Sequence, residues 1–303
     1  MQHAKPALSI KNQLTLLEQR GMLIDDASQA AHALAHISYY RLRAYWLPYE
    51  AAINSASHPH RFKTGTRFST ILAVYEFDRH LRLHILDAIE RIEISLRACF
   101  AQTLSLQHGP QAHEIATLFR DTRIWQTSLN ELEKEYLRSK ETFAQHHLSH
   151  YPELRTPPIW VASELMTLGH LSRWLKNLNS PNDRQIIAST YGLDEKVLVS
   201  FMHHLTVVRN HCAHHGRVWN RKLSLKMPIP HKKPIGLVSN FNATQDRLIY
   251  NTLTMLAFLV RQINHRSTWH LCIKELINAT PEVCPKQMGF LDTWQALPVW
   301  KTP

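Results

Sequence analysis

The chain has 303 residues, 44% of them apolar and 19% charged, a composition that supports a buried core and excludes a disordered or fibrous polypeptide. Only 8 glycines occur, too few for turn-rich all-β folds or phosphate-cradling glycine loops, so an all-α protein is expected. Lys plus Arg number 35 against 24 acids, a formal charge of +11 to which 21 histidines add as pH falls, and this balance points to a polyanionic partner.

In chain order, Leu8, Leu14, Leu16 and Leu17 before Gly21 predict a short first helix, and Asp26 stands where it can cap a second running through Ile37. After the polar stretch from Asn54 to Gly65, Ile71, Val74, Tyr75, Leu81, Ile85, Ile89, Ile92, Leu96 and Cys99 recur mostly three or four residues apart. That rhythm predicts one long helix over 69–106, ended by Gly109-Pro110. A charged helix is expected over 126–148, then a proline-rich break from Tyr151 to Pro158. Further helices are expected over 159–178, 182–191, 194–215, 243–265 and 268–279, with a proline-rich basic loop from Met227 to Pro234. The long helix needs cover for its apolar stripe, so the later helices are expected to pack on it. The organisation read from this is an N-terminal helical extension (1–65), a helical-bundle domain (66–280) and a C-terminal tail packed on that domain (281–303).

The longest unbroken apolar run, Met255 to Val260, is far short of the roughly 20 residues of a membrane span. Four scattered cysteines with no CxxC fit reduced thiols rather than a disulfide frame. The expectation is a cytoplasmic protein with no membrane partner.

The charge is unevenly placed. Residues 1–150 carry 17 basic and 15 acidic side chains, and residues 151–303 carry 18 and 9. No Asp or Glu occurs from Lys196 through Gln245, a segment holding Arg209, Arg217, Arg221, Lys222, Lys226, Lys232 and Lys233. Such a run makes a positive field suited to phosphates, and Arg217, Arg221, Lys222, Lys232 and Lys233 are the expected RNA-binding residues.

Within this run lies Val208-Arg209-Asn210-His211-Cys212-Ala213-His214-His215-Gly216-Arg217, at the end of a predicted helix. A helical wheel puts Leu198, Phe201, Met202, Leu205 and Cys212 on one stripe, and His203, Asn210 and His214 on the opposite side. Asn210 and His214, four apart, can face one ligand. Arg209 falls about 140° from His214 by the 3.6-residue period, so either its side chain reaches round the helix or two subunits complete one site. An imidazole beside a guanidinium suits metal-free RNA cleavage: the base takes the 2′-OH proton while arginine stabilises charge growing on the phosphate. Arg79 to His84 has the same spacing but lacks asparagine after the arginine. Glu90 and Glu93 alternate with Arg91 and Arg97 and read as ion-pair partners, unless they or Glu164 hold Arg209.

Further segments are distinctive as an ordered set: Lys5-Pro6-Ala7-Leu8, Gln19-Arg20-Gly21-Met22, Tyr39-Tyr40-Arg41-Leu42 with Tyr45-Trp46, and Tyr75-Glu76-Phe77-Asp78-Arg79 with Leu81-Arg82. Ile89-Glu90-Arg91-Ile92-Glu93, Pro158-Ile159-Trp160 through Ser163-Glu164-Leu165 with Gly169, and the Arg209–Arg217 segment with Trp219-Asn220-Arg221 complete it. Together they resemble bacterial abortive-infection proteins of the AbiD/AbiF type over roughly residues 5–221. The resemblance implies a HEPN-like helical bundle whose ribonuclease members use R-x4-6-H without metal or other cofactor, usually as homodimers. It maps the catalytic pair onto Arg209 and His214, with Asn210 the polar residue after the arginine. It implies a role in phage defence, or as a toxin held by a small non-coding RNA that acts as antitoxin. No motif is recognised beyond about residue 240.

Three other readings compete. A non-catalytic RNA-binding scaffold would use the same basic run. His204, His211 and His215 share a strip of the helix, but His204 and His211 stand about 10 Å apart along its axis, too far for one zinc ion with bonds near 2 Å. A target for nucleotidyl transfer would carry tyrosine two residues after His214, where Gly216 stands. Tyr40 and Arg41 are candidates for stacking on or contacting RNA, although aromatics at the density of Tyr39, Tyr40, Tyr45 and Trp46 also close helical cores.

Overall fold

The computed structural model describes residues 6–51, 60–231 and 233–301. Among them the chain forms thirteen α-helices joined by loops and 3-10 turns, with isolated β-bridges and no strand. This is the expected all-α fold. It divides into two compact units, Met1–Leu81 with Glu275–Cys284, and Arg82–Lys274 with Pro285–Pro303.

In the first unit, α1 (Ile10–Gln19) is capped by Ser9 and packs on α2 (Ala27–His36). The Asp26 carboxylate accepts from the Ser28 and Gln29 amides, the cap read from the sequence. A third helix, α3 (Tyr39–Trp46), was not anticipated. Ser38 caps it, and its aromatics divide: Tyr45 and Trp46 are core, Tyr45 donating 2.7 Å to the buried Asp78, while Tyr40 is 85% exposed.

The long helix, α4 (Phe68–His108), has 41 residues, about 60 Å at 1.5 Å per residue. It belongs to the first unit through Leu81 and to the second from Arg82. Its stripe is as expected, with Ile71, Val74, Leu81, Ile85, Ile89, Ile92 and Leu96 all buried, and it stops at Gly109, whose φ of +90° suits glycine.

The second unit continues with α5 (Thr122–Arg138) and α6 (Thr142–His150), where a single helix was expected over 126–148. Ser139 breaks it: its backbone is extended and its hydroxyl accepts from the Glu141 amide at 3.2 Å. The Tyr136 hydroxyl then meets His147 at 2.9 Å, holding α6 against α5. The helix expected over 159–178 also splits, into α7 (Ile159–Ala162), a 3-10 turn (Ser163–Leu165) and α8 (Leu168–Asn177). Thr167 caps α8, and the preceding Met166 carbonyl accepts from Arg97 at 2.7 Å. α9 (Pro181–Ser189) and α10 (Glu195–Ala213) follow, then α11 (Ile235–Val238), α12 (Ile249–Ile263) and α13 (Trp269–Asn278), the last four residues of which belong to the first unit. Within the second unit α4 takes contacts from later elements, Ser95 to Tyr191, His108 to Asp183 and His84 to Trp269. Tyr250, Phe290, Trp294 and Trp300 form an aromatic cluster, and Val299 donates to the buried Asn240.

His113 and His204 are two of the buried histidines of the second unit. His113 bonds Thr156 at 2.7 Å, His204 bonds Thr252 at 2.9 Å, and burial pushes each down to about 4. The unfolded chain takes up these protons near pH 6.5, so the folded state loses ground as pH falls from 6.5 toward 4 and is unaffected above that window. Each histidine is expected to cost about 2 kcal/mol of stability by pH 5. Urea melts at pH 7 and pH 5 measure this, and replacing His204 with glutamine should remove its share of the difference.

Candidate active site

Helix α10 starts at Asp194, whose carboxylate accepts from the Lys196 amide, and packs on α8 and α9. Leu198, Phe201, Met202, Leu205, Val208 and Cys212 are buried, whereas His203, Asn210 and His214 are exposed, the two sides of the wheel. The helix ends in a Schellman motif: Gly216 N–H bonds the His211 carbonyl at 2.9 Å and His215 N–H the Cys212 carbonyl at 3.0 Å. His215 takes the left-handed position, φ +57°, usually given to glycine, at roughly 1–2 kcal/mol for a residue with Cβ.

The glycine stands one residue later for a different reason. A Cβ on Gly216 would lie 2.2 Å from Cε1 of His211, and the same ring sets its Nε2 2.7 Å from the Arg217 carbonyl oxygen. His211 therefore serves the turn, filling the space over Gly216 and tying the chain beyond it. Gly216→Ala should force the ring off the Arg217 carbonyl and destabilise the protein by about 1–3 kcal/mol. Gly236→Ala, where nothing lies within 4 Å of the added carbon, should leave the denaturation midpoint nearly unchanged.

Arg209 and Asn210, adjacent in sequence, enter different grooves. Arg209 is half-buried and lines a groove with Leu86, Ile89, Glu90, Glu93, Ile94 and Arg97 of α4. Neither Glu93 nor Glu164 holds it: both pair with Arg97, at 2.6 Å and 3.4 Å. Arg91 pairs with Asp87 rather than with Glu90. The Arg209 side chain has no ion pair or hydrogen bond among the described residues, so its five N–H donors face the groove and solvent. Asn210 lines a groove on the α8 side with Thr206, His203, Gly169 and Lys176. His214 follows one turn later, its amide bonded to the Asn210 carbonyl at 3.0 Å.

Of the expected RNA-binding residues, Arg221, Lys222 and Lys233 are exposed, while Arg217 is half-buried with its guanidinium 5.9 Å from the centre of the buried Trp219 ring. Lys232 lies outside the described residues. Lys226 pairs with Asp246 at 3.0 Å. Tyr40 and Arg41 lie on α3 in the first unit, where Tyr40 shares a groove with Leu8, Leu16, Arg20 and Arg43. His204 and His211 face separate partners, Thr252 and the Arg217 carbonyl, so the three-histidine strip is not an open ligand set. Sequence reasoning missed the His211–Gly216 contact; glycine three residues past the end of a histidine-rich helix was its one visible sign.

The described residues define an all-helical protein whose candidate site residues, Arg209, Asn210 and His214, stand near the end of one helix. The family model described as Abi-like protein matches residues 32–220, more than half of the chain and all of the Arg209–Arg217 segment, and the chain belongs to that family. No curated protein and no solved structure matches it. No helix among the described residues is long and apolar enough to cross a membrane.

Proposed function

We propose that the chain is a HEPN-type endoribonuclease of abortive infection, or an RNA-regulated toxin, that cleaves RNA without metal as a homodimer. The observation that carries this reading is Arg209: a half-buried guanidinium left without an acid, in a groove whose carboxylates are engaged elsewhere or stand apart from it. A phosphate diester supplies the anion that such a fork of donors fits. In the proposed reaction the His214 imidazole takes the proton of the ribose 2′-OH, and O2′ attacks phosphorus. The P–O5′ bond breaks with water protonating O5′, leaving a 2′,3′-cyclic phosphate and a 5′-hydroxyl. Arg209 stabilises the charge gathering on the non-bridging oxygens, and Asn210 orients the imidazole or the phosphate.

The test is cleavage in the presence of chelator, with end-group analysis and a substrate carrying one 2′-deoxy sugar at the mapped site. Cyclic phosphate ends, chelator resistance and loss of cleavage at the deoxy position are expected; cleavage of the deoxy substrate at an undiminished rate would overturn the reading. The scaffold reading draws on one observation, the entry of Arg209 and Asn210 into different grooves of one chain. It requires that RNA bound by the purified dimer remain intact.

A further inference from the structure

Arg120, Lys176 and Lys196 come from the segment before α5, the last turn of α8 and the first turn of α10. Two grooves on the second unit share the first two of them. One runs by Asn210, Thr206 and His203, and the other by Lys196, Val199 and Ser200. Arg120 and Lys176 line both, so the two grooves adjoin at this pair along the exposed side of α10 and together make a candidate channel. From Lys196 to Asn210 it follows fourteen residues of that helix, roughly 21 Å at 1.5 Å per residue.

The acids along it are engaged. Glu195 pairs with the buried Arg184 at 2.6 Å, Asp121 caps α5 through the Arg123 and Ile124 amides, and Glu131 beside the channel pairs with Arg173 at 2.6 Å. Arg120, Lys176 and Lys196 have no ion pair among the described residues. The channel thus carries three cations without an ion-pair partner among the described residues. It has no Phe, Tyr or Trp among its lining residues, which favours a ligand gripped by its phosphates over one read by base stacking.

We infer that this channel holds the sugar-phosphate backbone of single-stranded RNA and leads it to Asn210 and His214; the inference rests on the proposed ribonuclease reading. A single strand fits better than a duplex because in-line attack by O2′ needs a sugar-phosphate geometry that the stiff A-form helix does not offer, and because unpaired segments are what protein side chains reach in RNA. The acid-free run from Lys196 through Gln245 contains only one of these three cations, so the channel is a product of tertiary packing.

The test uses the full chain with His214→Ala to stop cleavage, and a fluorescein-labelled unstructured 20-nucleotide RNA, with anisotropy read over a series of salt concentrations. Arg120→Gln, Lys176→Gln and Lys196→Gln together should weaken binding about tenfold or more at low salt. They should flatten the slope of log affinity against log salt by about 2, from roughly 0.7 per lost phosphate contact on a single strand. A charge-matched control, Lys134→Gln, Lys140→Gln and Arg266→Gln, all exposed and away from the channel lining, should keep the parental slope. Equal slopes in the two triple variants would overturn the channel while leaving RNA as the substrate. Failure of the His214→Ala protein to bind any RNA would overturn both.

Discussion

His214→Ala is expected to reduce RNA cleavage by about 10²–10⁴-fold, the usual contribution of a positioned general base, with RNA affinity and stability held. The separation follows from where His214 sits. It is exposed just beyond the last residue of α10, and the hydrogen bond that places it, to the Asn210 carbonyl, comes from its backbone amide. Alanine keeps that bond and removes only the imidazole. Single-turnover rates under saturating protein, beside anisotropy with the same RNA, give the two numbers. A rate within threefold of the parent would remove His214 from the chemistry.

The sequence showed the site well in one dimension and poorly in three. The side of α10 that carries Asn210 and His214 was legible because a helix interior obeys one period and Leu198, Phe201, Leu205 and Cys212 mark its buried stripe. The same logic made α4 legible over nearly its whole length. The α5–α6 break was hidden because it rests on a single serine hydroxyl competing for a backbone amide. The elbow before α8 was hidden because the carbonyl of the buried Met166 is satisfied by Arg97, an arginine 69 residues distant. The surroundings of Arg209 are long-range in the same way. Its distance of 140° from His214 was readable; that Arg97 would take both Glu93 and Glu164 and leave Arg209 unpaired was not.

Mixing two inactive proteins, Arg209→Ala and His214→Ala, is expected to restore about a quarter of the parental activity. Within one chain the arginine opens toward α4 and the next residue toward α8, so each copy offers half of the constellation on either side of its helix. A two-fold axis beside α10 would set the arginine of one copy against the histidine of the other, twice. Ile94, 57% exposed in the Arg209 groove, and Leu83, 51% exposed on the same helix, supply apolar surface for a second copy to cover. Random assortment at equal concentrations makes half the dimers mixed, and each mixed dimer has one intact site of two, hence the quarter. Activity no greater than that of the two parents alone, or full parental activity from a species that sediments as a monomer, would refute the shared site.

The isolation of Arg209 also bears on how durable the protein is. A half-buried cation beside Leu86, Ile89 and Ile94 is a poor choice for a chain selected only to stay folded, since an aliphatic side chain of similar volume would join those neighbours with no charge to hydrate. Arginine there should leave the molecule below the stability its own scaffold permits, a compromise the proposed activity would account for. An Arg209→Leu protein should then be inert and at the same time more heat-resistant than its parent, a pairing of effects that marks a residue kept for what it does to a ligand rather than for the fold.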